Sequence, residues 1–144
     1  MCIRDRADYG YKTYSTTVEV MEPLINEKPE VVKCFIEGSI IGWNNYLYGD
    51  PSKGNALIQK QNPDMSSEQI AYTIDKMKEY GIVDSGSSET LGIGSLTEER
   101  NNAFYEQLVK AGVMEAGLDI SKSYTTEFVN KGLGLDLKKK LTAE

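Results

Sequence analysis

The sequence predicts an α/β chain dominated by helices, one strand followed by about five helices. Three observations carry that expectation. Residues 11–21 are rich in aromatic and β-branched side chains, the composition of an extended strand. Beyond them, apolar residues recur at three- and four-residue spacings, the period of amphipathic helices. Glycine, serine and proline cluster between those stretches, where helices stop and start.

The first helix is expected to be capped by Asn26 with Pro29 in its first turn, where a missing N–H costs little. Val32, Phe35, Ile36, Ile40, Trp43 and Leu47 then form its apolar stripe, with Trp43 in the core. Gly38 and Gly42 stand four apart on it, which predicts close approach of another backbone to offset the weakening that glycine brings to a helix. Cys34 beside Phe35 reads as a buried or half-buried inert thiol. Gly49-Asp50-Pro51 ends the element. A short helix is expected over 55–60. Ser66 and Gln69 have the spacing of a capping box opening the next helix. Ile70, Ile74, Met77 and Tyr80 supply its inner face, and Gly81 stops it.

Residues 84–94 read as a Gly/Ser loop in which Glu89 and Thr90 are solvated. Gly92 and Gly94 make only half of a dinucleotide-binding fingerprint, with no strand before them and no third glycine in register, so a phosphate loop is rejected. Thr97 caps a helix carrying Phe104, Leu108 and Val109 and ending at Gly112. Asp119 caps a last one, with Ile120, Tyr124 and Phe128 at four-residue spacing and Gly132 as its stop.

Composition excludes several functions. The 144 residues suit one ordinary domain. No stretch approaches the roughly 18–20 apolar residues of a membrane span, so this segment predicts no membrane insertion. Sixteen basic against 22 acidic residues, a net charge of −6, argue against a nucleic-acid partner. With no histidine in the chain, Ser-His-Asp and Cys-His nucleophile pairs cannot be assembled from it. Cys2 and Cys34 are too few for a zinc site or a disulfide framework. Catalytic residues, metal ligands and cofactors are therefore none at this stage. Residues 1–6, Met-Cys-Ile-Arg-Asp-Arg, lack the apolar core of a secretory signal and resemble a translated sequencing adapter, a non-native scar. On that reading the chain is a C-terminal fragment. Residues 136–144, with three lysines, read as a solvated tail. A lone strand has no ladder partner, so its sheet is expected to lie outside this segment or in a second chain.

Several segments come in a familiar order: Asp8-Tyr-Gly-Tyr-Lys-Thr-Tyr-Ser-Thr-Thr17, Lys28-Pro-Glu-Val-Val32, Gly42-Trp43, Asn55-Ala-Leu-Ile58, Asn62-Pro63 and Tyr80-Gly-Ile-Val83. Together they resemble the C-terminal part of ABC-importer solute-binding proteins, in the branch that binds thiamine precursors, sulfonates, taurine and nitrate and is related to thiamine-pyrimidine synthase. The resemblance covers residues 7–135. It implies the C-terminal, mostly helical part of a type-2 periplasmic binding protein fold, with a hinge strand near Tyr14–Val18 crossing back to the first lobe and helices packing on that lobe. It also implies capture of a small-molecule solute between two hinged lobes, delivery to ABC transporter permease subunits, no chemistry on the solute, and a periplasmic or cell-envelope location.

Candidate ligand-binding residues are Asp8, Tyr9, Tyr11 and Tyr14, which on this resemblance border the cleft. A tyrosine ring can stack on a planar solute and its hydroxyl makes one directional bond. A carboxylate accepts from a pyrimidine amino group. The set suits an aminopyrimidine better than an anion, for which the only arginine beyond the N-terminus is Arg100. Alternation along a strand puts Tyr9 and Tyr11 on one side and Tyr14 on the other. Two other functions stay open: a pyrimidine-synthesising enzyme of the same fold, whose histidine and iron would lie upstream, and a small helical interaction module whose strand pairs in a dimer.

Overall fold

The computed structural model describes residues 13–14 and 16–143. Among them the chain forms seven α-helices: α1 (Glu22–Glu27), α2 (Pro29–Tyr48), α3 (Ser52–Gln61), α4 (Ser67–Glu79), α5 (Ser88–Leu91), α6 (Glu98–Lys110) and α7 (Leu135–Thr142). A 3-10 turn, Ile120–Ser123, lies between α6 and α7. No strand is present among the described residues. Of the expected strand, residues 11–21, the described positions 13–14 and 16–21 have no regular secondary structure, and a chain segment becomes a strand only when a ladder partner takes its N–H and C=O groups. The mostly helical character is as the sequence predicts; the described residues form no sheet.

Helix α2 is the organising element, with α1 and α7 packed against it, while α3 lies against α4. Its start differs from expectation. Pro23 and Glu22 open a separate short helix, α1, which absorbs Asn26. Lys28 then joins the two, and Pro29 takes the first position of α2. The inner face of α2 runs Val32, Ile36, Ile40, Asn44 and Leu47, all buried except half-buried Ile36. This row takes three four-residue steps and then one of three, and leaves Phe35 61% exposed and Trp43 38% exposed. Trp43 therefore does not sit in the core; its indole meets the Tyr46 ring edge to face, centroids 6.0 Å apart. Cys34 is exposed. The predicted close approach at Gly38 and Gly42 is also absent, since a Cβ at either meets nothing within 4 Å.

The helix after Asp50 begins earlier than predicted because that carboxylate accepts from the N–H and hydroxyl of Ser52, both at 2.9 Å, and so starts α3. The capping box of α4 is formed as read. The Ser66 hydroxyl accepts from the Gln69 N–H at 3.1 Å, and the Gln69 side chain accepts from the Ser66 N–H at 2.9 Å. Ile70 and Ile74 are buried beneath it, whereas Tyr80 is exposed. Thr97 caps α6 by accepting from the Arg100 N–H at 3.3 Å.

The Asp119 helix shrinks to one 3-10 turn. Its cap forms, Asp119 accepting from the Ser121 N–H at 3.1 Å. Tyr124 is already extended, and the β-branched pair Thr125-Thr126 gives little support to further turns. The predicted solvated tail is instead largely α7, docked on α2. Gly134 opens it at φ 87°, and a Cβ there would lie 2.4 Å from the Nδ2 of Asn44. Only glycine permits both the left-handed backbone and that closeness.

The resulting core is small: among the described residues the buried apolar side chains are Val32, Ile40, Leu47, Ile70, Ile74, Ile93, Phe128 and Val129.

Candidate functional site

Of the four candidate ligand-binding residues, Asp8, Tyr9 and Tyr11 lie outside the described residues. Tyr14 is half-buried and meets the start of α6. Its hydroxyl accepts from the Thr97 N–H at 2.9 Å, one of the donors a helix start leaves without an internal partner. The Arg100 guanidinium lies over its ring, 4.2 Å from the centroid, within cation–π reach. Arg100 also donates through Nη2 to the Thr13 carbonyl at 2.6 Å. Residues 13–14 are thus clasped to α6 by one arginine and one helix N-terminus. The clasp leaves Tyr14 its O–H proton to donate. Arg100, considered from sequence only as an anion ligand, here serves the chain's own backbone.

A second polar cluster was not foreseen from the sequence. Asp84 has a side chain only 3% exposed and accepts three bonds: from Lys138 Nζ at 2.7 Å, the Tyr48 hydroxyl at 2.7 Å and the Ser88 hydroxyl at 2.6 Å. It unites the end of α2, α5, its preceding loop and α7. The Lys138 ammonium also sits 5.0 Å from the Tyr48 ring centroid. Burial pushes the Asp84 carboxyl up, but the bonds from Lys138, Ser88 and Tyr48 outweigh it and hold the carboxyl below its ordinary range. The bond to Asp84 raises Lys138, against the opposing effect of burial. Burial and then the Asp84 bond raise Tyr48. With three donors on one carboxylate, the arrangement locks a charge pair in place; it presents no activated base or nucleophile.

Beside this cluster, loops 84–97 and 128–134 are tied together. Asn130, at φ 63°, accepts from the Leu96 N–H at 3.0 Å and donates to the Leu96 carbonyl at 2.6 Å. The Gly132 N–H donates to the Leu91 carbonyl at 3.0 Å. Gly92 is where the two loops touch, since a Cβ there would lie 2.8 Å from the Leu133 carbonyl oxygen. Glu89 and Thr90 are exposed as expected, but they sit on the short helix α5 where the sequence predicts a continuous loop.

Sequence reading missed Asp84 and Lys138 because they are 54 positions apart and each lies in a stretch that reads as solvated. A partial signal was present in Leu135, Leu137 and Leu141, which flank the lysine run and are half-buried in α7. Among the described residues, no group of three or more Cys, Asp or Glu side chains is placed to hold a metal ion, and no helix is long and apolar enough to cross a membrane. Comparison with protein-family models, curated proteins and solved structures gave no match.

Proposed function

We propose that this chain is the C-terminal helical part of an extracytoplasmic solute-binding component of an ABC importer. It would help capture a small polar or heteroaromatic solute, of the thiamine-precursor, sulfonate, taurine or nitrate class, between two hinged lobes. The observation that carries the reading is the uncovered apolar surface. One face of α2 is finished by α7 and the 128–134 loop, while the opposite side keeps Val31 54% exposed and Phe35 61% exposed, with open glycines between them and Trp43. A helix apolar on both sides fits a position between two layers of a larger α/β body. Residues 16–20, without regular secondary structure, fit a crossing segment whose sheet belongs to that body. In this reading the Arg100–Tyr14 clasp fixes where the crossing segment meets the helical lobe, and closure around solute is hinge motion.

The test is a thermal melt of the chain alone and with millimolar aminopyrimidine, taurine, methanesulfonate or nitrate. A solute at 100 times its dissociation constant adds about 2.7 kcal/mol to a folded binder. The same measurement follows on the full reading frame recovered from its gene. A rise with one solute, in either form, supports the proposal. A full-length protein that lacks a second lobe, or that melts unchanged with every solute, overturns it. The open face of α2 also fits a helical interaction module, and a concentration-dependent dimer in sedimentation with no solute response would favour that second reading.

A further inference from the structure

A depression of about 450 Å³ lies between the turn after α3 and the start of α4, lined by Asn62, Asp64, Met65, Gln69, Tyr72 and Thr73. Its walls are held firmly. The Gln59 amide donates to the Ser67 hydroxyl at 3.0 Å and reaches the Met65 carbonyl at 3.4 Å, which ties the turn to both helices. Buried Ile70 and Ile74 fix the inner side of α4. From its outer side two tyrosine rings stand in solvent, Tyr72 at 63% and Tyr80 at 68% exposure. Eight residues of helix place them about 12 Å apart along the axis. Lys76 lies between, its ammonium 5.5 Å from each ring centroid and ion-paired with Glu79.

The chemistry of the depression selects a ligand class. Asp64 supplies carboxylate acceptors that no described residue occupies. Gln69 spends its carbonyl on the Ser66 N–H and keeps its amide donors. The Thr73 hydroxyl donates to the Gln69 backbone carbonyl at 2.7 Å and keeps its lone pairs. An anion would meet Asp64 and a chain of net charge −6. A cation would pair with Asp64 but leave the Gln69 amide donors without an acceptor. A purely apolar molecule would bury the carboxylate and amide unpaired, at a penalty. A neutral ring with hydroxyls on its edge and C–H groups on its face satisfies every group at once: hydroxyls donate to Asp64 and accept from Gln69, and the face stacks on Tyr72.

We infer that this surface of α4 is a binding site for a neutral saccharide, with Tyr72 as platform, Asp64 and Gln69 as hydroxyl partners, and Tyr80 as a second platform for an extended chain. The site is separate from the proposed solute cleft and does not depend on it. The test records backbone amide shifts of the 15N-labelled chain during titration to about 10 mM with maltotriose, cellotriose and chitotriose, a range that detects millimolar binding. Shifts confined to residues 62–80 with at least one trisaccharide are expected. Tyr72→Ala should weaken binding about tenfold, and Asp64→Asn by a similar factor. Both residues are on the surface, so an unchanged amide spectrum elsewhere certifies the fold. No response to any of the three sugars, or a response that survives Tyr72→Ala, overturns the inference.

Discussion

Removing either partner of the Asp84–Lys138 pair should destabilise the chain unequally, and the structure sets the order. The Asp84 side chain is 3% exposed and that of Lys138 is 30% exposed. In Asp84→Asn the lysine head can turn into water, and Ser88 retains the Ser85 carbonyl at 3.1 Å. The loss is then mainly that of charge-assisted hydrogen bonds, about 2 kcal/mol. In Lys138→Met the aliphatic stem still covers the Tyr48 side, but a carboxylate stays buried with two neutral donors, at a loss of about 3–4 kcal/mol. The double variant removes the orphaned charge and should fall short of the sum by about 1.5–3 kcal/mol. Urea unfolding of the four proteins, fitted by linear extrapolation, measures all three quantities. A Lys138→Met chain no less stable than Asp84→Asn, or an additive double variant, would refute the burial argument and return the lysine to a solvated tail.

The same pair fixes a pH dependence. Asp84 is held below its ordinary value of 3.8, so its contribution is present above that pH and is lost as pH falls through the folded-state value. Lys138 is raised above 10.5, so its contribution is present below that pH and disappears as pH rises through the folded-state value. Urea midpoints measured between pH 3 and 11 should therefore form a plateau that falls at both ends, with a shallower acid limb in Asp84→Asn. Glycine substitutions should split by position. Gly134→Ala places a Cβ 2.4 Å from Asn44 Nδ2 at φ 87°, a loss of about 2–3 kcal/mol. Gly38→Ala, with open space around it, should add about 0.5–1 kcal/mol to the isolated chain; a loss there would mean that the face is covered in solution. Asn130→Ala should cost about 2 kcal/mol through lost Leu96 bonds and left-handed strain. Asn130→Gly should recover the strain alone, and faster hydrogen exchange at the Leu96 amide in both variants would confirm the lost bond.

Local chemistry made much of the helical framework legible. Ser66 with Gln69 and Thr97 before Arg100 satisfy helix-start donors within three residues, so no distant contact is needed to form them, and those two helices begin where the sequence places them. The same logic located Ile70 and Ile74. It misplaced Trp43 because three- and four-residue steps along α2 define two adjacent stripes. Which of them faces inward depends on what packs there, here Gly134 and α7 against Asn44. It misread residues 136–144 because a lysine run has no local partner, and Asp84 reaches it only through the tertiary fold. The candidate site divides in the same way. Tyr14 is a candidate only through the family resemblance, and its engagement by Arg100 and Thr97 joins positions more than 80 residues apart. By itself the sequence determined where α4 and α6 start, the acidic balance of the chain and its lack of histidine, all properties of neighbouring residues or of simple counts. Only the tertiary structure decided which face of α2 is covered and which charge is buried, because burial is a property of what lies across a contact.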